Sequence, residues 1–165
     1  MAAPAPSDAA DATPDHKQTL RLWLRLLGCS TVIEKAVRAR LAAEFGATLP
    51  RFDVLSALER NPQGLQLGEL SRLLLVSNGN VTGVIARLVA DGWVDRRVDA
   101  NDARIARVSL TPRGREAFLE MAAAHEAWIE QMFEGFARED QDELLALLTR
   151  LRRLLTKDPR GASAT

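Results

Sequence analysis

At Asp91-Gly92 the hydrophobic period of this chain changes, and that change restricts the fold more than any other feature. Before it, apolar residues recur every three or four positions, as on helices laid against a core. After it, Ile105-Ala106-Arg107-Val108-Ser109-Leu110 alternates apolar and polar, the pattern of a half-buried strand. Trp93-Val94-Asp95-Arg96-Arg97-Val98 reads as its partner, and the polar run 99–104 between them as a turn. The pair is a β-hairpin with a charged tip. Thr111-Pro112 then restores a helix, with Thr111 as N-cap and Pro112 at the first helical position.

Four helices are predicted before the hairpin. Leu22, Leu26, Cys29, Ile33, Val37, Leu41 and Phe45 make one apolar stripe over about 17–45, stopped by Gly46. Leu20, Trp23, Leu24 and Leu27 widen that stripe near its start, which predicts burial on more than one side there. Pro50 opens a second helix at its first position, with Phe52, Val54, Leu55 and Leu58 inward. A short third helix over about 67–74 and a fourth from Ser77 to Asp91-Gly92 are joined by a tight turn, as in a helix-turn-helix. After the hairpin, Phe118, Met121, His125, Trp128 and Met132 line one helix, and Leu144, Leu147, Leu148, Leu151, Leu154 and Leu155 form a seam on the last.

The expected order is α-α-α-α-β-β-α-α: mainly α with a small β-hairpin wing, a winged helix-turn-helix over 49–111. The flanking helices, 17–48 and 112–157, are too apolar to stand exposed, so they should bury each other and the same elements of a second copy in a homodimer. Residues 1–16, rich in Ala, Pro, Asp and Ser, and residues 158–165 read as disordered tails.

Net charge is zero, yet charge is unevenly placed. From Arg72 to Arg115 there are eight arginines against four aspartates, a local excess of four positive charges around the helix-turn-helix and wing. Two histidines and one cysteine exclude a Cys- or His-rich zinc site and an internal disulfide, and no cofactor is called for. No apolar run approaches the ~20 residues that span a bilayer, so no membrane partner is expected. MAAPAPSDAADATPD lacks the regions of an export signal, which makes a cytoplasmic location the expectation. No nucleophile–base–acid set or phosphate loop appears at a recognisable spacing, which argues against an enzyme.

The stretch SNGNVTGVIARL carries the chemistry. Val81, Val84, Ile85 and Leu88 anchor it as a helix, while Ser77, Asn78, Gly79, Asn80 and Thr82 crowd poor helix formers onto its first turns. The second helix of a helix-turn-helix enters the major groove N-terminus first, where short groups that donate and accept are useful. Asn78 and Asn80 suit adenine, the hydroxyls of Ser77 and Thr82 suit bases or phosphates, and Arg87 suits the backbone. On the wing, Arg96, Arg97 and Arg104 are candidates for a neighbouring minor groove, with Asp102 holding Arg104. Strand alternation places Arg96 and Arg97 on opposite faces, so they cannot serve DNA equally. Taken singly, each of these residues also fits a bland role as a cap, a turn residue or a solvated charge.

The segment LVSNGNVTGVIARLVADGWVDRRVDANDARIARVSLTPRGREAF resembles the MarR family of bacterial transcriptional regulators, in register over about 20–156. The resemblance implies a two-fold dimer built from terminal helices, presenting one recognition helix and one wing per subunit to a palindromic double-stranded operator. It carries DNA contact to Ser77, Asn78, Asn80, Thr82 and Arg87, and to Asp102 and Arg104 on the wing. Ala103 departs from the pattern where many members carry a second basic residue.

The resemblance also implies a small effector, commonly an aromatic carboxylate or phenol, bound between the dimerisation helices and the DNA-binding lobe. Arg21, Trp23 and Arg25 on the first helix, Arg51 and Phe52 on the second, and His125 and Trp128 are the candidate lining, an arginine on an apolar wall being suited to a carboxylate. Arg21 and Arg25 read equally as solvated, Trp23 as core and His125 as a helix-interface residue. LRLWLRLLGCS and LPRFDVLSALER resemble members that regulate hydroxycinnamate breakdown and sense aromatic acyl-CoA thioesters. Cys29 is the remaining candidate. Redox-sensing relatives activate such a thiol with tyrosines and this chain has none, so a buried core or pocket thiol is the favoured reading over a peroxide switch.

Overall fold

The computed structural model describes residues 16–98 and 106–157; the wing tip with Asp102 and Arg104, and the predicted tails apart from His16, lie outside the described residues. In chain order the elements are α1 (His16–Phe45), α2 (Leu49–Glu59), β1 (Leu65–Gln66), α3 (Leu67–Leu74), α4 (Asn78–Ala90), β2 (Val94–Val98), β3 (Ala106–Leu110), α5 (Pro112–Phe133) and α6 (Arg138–Lys157). This is the mainly helical winged-helix class that the sequence predicts, with one strand added.

That strand, β1, pairs antiparallel with β3 (Leu65 opposite Val108, Gln66 opposite Arg107), giving the sheet order β1-β3-β2. Two residues carry no period, so periodicity cannot announce them. Gln66 also caps α3, where Glu69 Oε2 accepts from its backbone N–H at 2.8 Å in a capping box. Pro50 is a second correction. Thr48 takes the extended N-cap position, so Leu49 is the first helical residue and Pro50 the second, where its missing N–H is equally harmless.

Leu41, Leu55, Leu58, Leu70, Leu88 and Met121 fill the centre of the lobe, with Val54, Val81, Val94 and Val108 from the helices and sheet around them. Leu41, Val54, Leu55, Leu58, Val81, Leu88, Val108 and Met121 sit on the faces that their periods assign to the interior. Gly46 closes α1 in the left-handed region (φ +58°), where Ala47 N–H reaches back to Leu41 O at 3.1 Å.

The terminal helices cover one another only in part. Phe45 meets Trp128 at 6.2 Å between ring centroids, and Arg40 lies over the same indole while donating to Gln131 Oε1 at 2.8 Å. The start of α1 has no such cover: Leu20, Leu22, Leu24 and Leu27 are exposed, as is Trp23 at 55%. The predicted burial of this end on more than one side is therefore corrected for the single chain. A 30-residue helix is about 45 Å long and outruns what α5 can reach. Cys29 falls in the same stretch and is exposed, against the expectation of a buried thiol. Most of the α6 leucines are also exposed, Leu154 and Leu155 among them.

Where α1, α2 and α5 meet, burial raises the pKa of Asp53 above its ordinary 3.8, and repulsion from Glu34 raises it further against opposing pulls from His125, Arg38 and Arg60. A carboxylate raised in the fold is favourable in its protonated form, so stability present below pH 3.8 is lost as pH rises through the folded pKa. Asp53→Asn is expected to raise the urea midpoint at pH 7, with the gain shrinking toward zero as pH falls to about 4. An equal gain at both pH values would assign the effect to packing instead.

Candidate nucleic-acid interface

Helices α3 and α4 turn through 113° between their axes, within the range of a helix-turn-helix. α4 is fixed from below by Val81, Ile85 and Leu88, all buried. At its start Ser77 is the N-cap, its Oγ accepting from Asn80 N–H at 3.4 Å. Opposite the buried face, Gly79, Gly83, Ala86 and Ala90 form an exposed ridge at spacings of four, three and four. Asn80 and Arg87 flank that ridge on one side, Asn78 and Thr82 on the other, and all four are exposed. The outward face of α4 is thus a strip with almost no side-chain bulk, bordered by hydrogen-bonding groups. A Cβ built at Gly79 or Gly83 meets nothing within 4 Å, so nothing inside the chain requires glycine there.

The flanking residues are not equivalent. Asn78 Oδ1 accepts from the hydroxyl of Ser71, a side chain only 5% exposed on α3. That bond staples the two helices across their turn. The bond occupies one of the two acceptor positions of the Asn78 carbonyl and leaves its amide nitrogen unused. Thr82 donates back to Asn78 O at 2.8 Å and keeps its oxygen as an acceptor. Among the described residues, the Asn80 side chain has neither amide atom in a hydrogen bond, so both ends of its amide are unengaged. Sequence reasoning missed Ser71; its signal was the seven-residue spacing to Asn78 across the turn.

The wing follows the predicted alternation. Arg96 stands opposite Val108 and shares the face of buried Val94, while Arg97 stands opposite Arg107 on the outer face. Arg97 has Asp95 at 3.9 Å, both well exposed, and Arg107 donates to Gly64 O at 3.3 Å. Like charges directly opposite across strands repel, so this outer face is a positive surface. With Gln63 and Ser109 they line a cleft of about 410 Å³.

The predicted effector residues do not all come together in one chain. Arg21, Trp23, Arg25 and Cys29 lie on the exposed start of α1, far along the helix from the lobe. Trp128 is buried against Phe45, and Phe52 is buried against Phe118 and the half-buried His125, with ring centroids 5.6 and 4.9 Å away. Arg51 is engaged elsewhere in the single chain. Its guanidinium pairs with Asp91 at the end of α4 and lies 4.9 Å from the centre of the Trp93 ring, so it joins α2 to the recognition helix and wing. A second cleft, about 380 Å³, opens between α5 and α6 around Phe133, Phe136 and Leu148, and none of the predicted effector residues lines it.

A helix-turn-helix with a small, polar outward face and a positive wing defines a winged-helix DNA-binding regulator. The comparisons with known proteins agree. The family model described as the MarR family matches residues 45–105, the lobe just described. The transcriptional activatory protein BadR of Rhodopseudomonas palustris is 33% identical over 155 residues, 88% of each chain. The uncharacterized HTH-type transcriptional regulator YkoM of Bacillus subtilis is 39% identical over 120 residues, 72% of this chain and 75% of that one. Among solved structures, a MarR family transcriptional regulator from Silicibacter pomeroyi superposes with a TM-score of 0.74 at 31% identity, covering 87% of this chain and 99% of that one. The chain belongs to the MarR family of transcriptional regulators, and it is a regulator rather than an enzyme. Among the described residues no single helix is long and apolar enough to cross a membrane.

Proposed function

We propose that this protein is a cytoplasmic repressor that binds a palindromic operator as a homodimer and is released by a small aromatic acid or its CoA thioester. The observation that carries the DNA reading is the outward face of α4: glycines and alanines where nothing internal requires them, flanked by Asn80, Thr82 and Arg87. Asn80 is the base reader, Asn78 the staple with its amide N–H groups left for DNA, and Arg87, Arg96 and Arg97 the candidates for phosphate contact. Arg104, with Asp102 beside it in sequence, serves the minor groove at the wing tip. The uncovered apolar face of α1 and α6 supports dimerisation, since a patch of this extent on a monomer marks an interface. Such a dimer would divide the chain into dimerisation helices, 17–48 and 112–157, and a DNA-binding lobe, 49–111.

The effector reading depends on the same dimer. Arg21, Trp23, Arg25 and Cys29 lie on the uncovered face of α1, and a second chain seated there would bring its own residues against them. A ligand there needs only to bind better to a dimer whose recognition helices misfit the operator.

Fluorescence anisotropy on duplexes enriched by the full-length chain from a random-sequence pool tests the DNA reading. Affinity is expected to fall steeply with salt through counterion release, and Asn80→Ala to weaken specific binding about tenfold. If no duplex is enriched, the DNA reading fails. BadR is named an activatory protein, so a reporter assay must be read for both signs. A thermal-shift screen of phenolic acids and their CoA thioesters tests the effector class, with Arg25→Ala expected to abolish any shift.

A further inference from the structure

Leu75 satisfies neither of the conditions that ordinarily keep a leucine in place. It ends α3 in the left-handed region, φ 55° and ψ 36°, and is the one described residue other than glycine with positive φ. Val76 N–H reaches Ser71 O at 3.1 Å and Leu75 N–H reaches Arg72 O at 3.3 Å, the two bonds of a Schellman cap. Glycine, or failing that asparagine, fits this position because Cβ crowds the following carbonyl. Burial could offset that strain, but Leu75 is 92% exposed. The cap bonds account for the backbone, but with the side chain exposed nothing described within the chain accounts for leucine there.

We propose that Leu75 is an apolar DNA contact, its side chain resting on a thymine methyl group or the deoxyribose beside it at the edge of the groove that α4 enters. This rests on the DNA reading above. Leu75 lies two residues before the N-cap Ser77, and the exposed run from Ser77 to Asn80 continues directly from it. A helix that enters the groove N-terminus first brings the residues just before its N-cap to the groove edge. Leucine offers no hydrogen bond there, but a thymine methyl asks for none. Strain held at one exposed position beside a binding surface is the pattern of a functional residue. A protein partner fits less well. A stable interface needs about 800 Å² per partner, and Leu75 with its exposed neighbours Leu73 and Val76 makes a much smaller apolar surface.

The test uses the full-length chain and a duplex it enriches from a random-sequence pool. Leu75→Asn, which tolerates the left-handed backbone, is expected to raise Tm while lowering affinity about tenfold. Its salt dependence should match the parent, since no phosphate contact is lost. Leu75→Met should retain parental affinity. Replacing each thymine in turn by uracil then separates the two sources. One replacement that reproduces the loss in the parent and adds nothing in Leu75→Asn identifies the methyl group. No such replacement, with Leu75→Asn still impaired, identifies the sugar. Affinity of Leu75→Asn within about twofold of the parent, while Asn80→Ala is impaired, overturns the proposal and leaves the DNA reading standing. Failure to enrich any duplex removes both. A changed oligomeric state of Leu75→Asn by sedimentation places a second copy on this residue and likewise overturns the proposal.

Discussion

Gly114→Ala is expected to destabilise the fold by about 3 kcal/mol or more, lowering Tm by roughly 10 °C. Gly114 is buried in the first turn of α5, where that helix crosses the start of the wing. A Cβ there would lie 1.9 Å from Trp93 O and 2.6 Å from Trp93 C. Those are backbone atoms, so no side-chain rotation relieves the overlap. Trp93 cannot easily retreat: Thr111 N–H donates to its carbonyl at 3.0 Å, and the Arg51 guanidinium covers its ring. Thr111 tightens the same joint from the other side, its hydroxyl donating to Gly92 O at 2.8 Å and accepting from Gly114 N–H at 2.9 Å. Relief must therefore come from α5 moving off the wing, which breaks the Thr111 bonds and disturbs the Arg115–Glu59 ion pair one residue on. Gly68→Ala is the control: a Cβ there meets nothing within 4 Å, and Tm should stay level or rise. Differential scanning calorimetry of both variants decides the matter, and equal Tm values would mean that the joint is not tight.

That joint also shows what could be read from the sequence and what could not. Thr111 as N-cap and Pro112 behind it were legible, because a cap is a local arrangement of neighbouring residues. The strands of the wing, and the opposite faces of Arg96 and Arg97, followed from alternation alone. The inward faces of α2 and α4 followed from the helical period in the same way. The Arg51–Asp91 pair was not legible, since its members lie 40 positions apart and either charge reads as an ordinary surface residue. Asn78 was assigned to DNA by its place in the motif, while its carbonyl turned inward to a serine whose burial only the fold could reveal. The surroundings of Cys29 and Trp23 were not legible for another reason. An apolar stripe states that a surface is to be covered, and it does not state by which chain. The seam of α6 has the same ambiguity.

Gly83→Ala is expected to move stability and DNA binding in opposite directions. Gly83 sits in the interior of α4, where glycine is about 0.5–1 kcal/mol worse than alanine. Since the added Cβ meets nothing within 4 Å, the substitution should recover that difference and raise Tm by roughly 2–4 °C. If the outward ridge of α4 lies against the groove, the same methyl stands between the helix backbone and the base edges. It would lift Asn80 and Thr82 from their partners, and specific affinity should fall between about ten- and a hundredfold. Non-specific binding depends on phosphates reached by arginines at the edges of the surface, so it should change far less. The comparison of calorimetry with anisotropy on specific and random duplexes is therefore internally controlled. A variant that is more stable and binds as well as the parent would show that the ridge of Gly79, Gly83, Ala86 and Ala90 does not face DNA. A variant that is more stable and loses only specific binding leaves no explanation inside the chain for a glycine at this position, and places the reason for it in the groove.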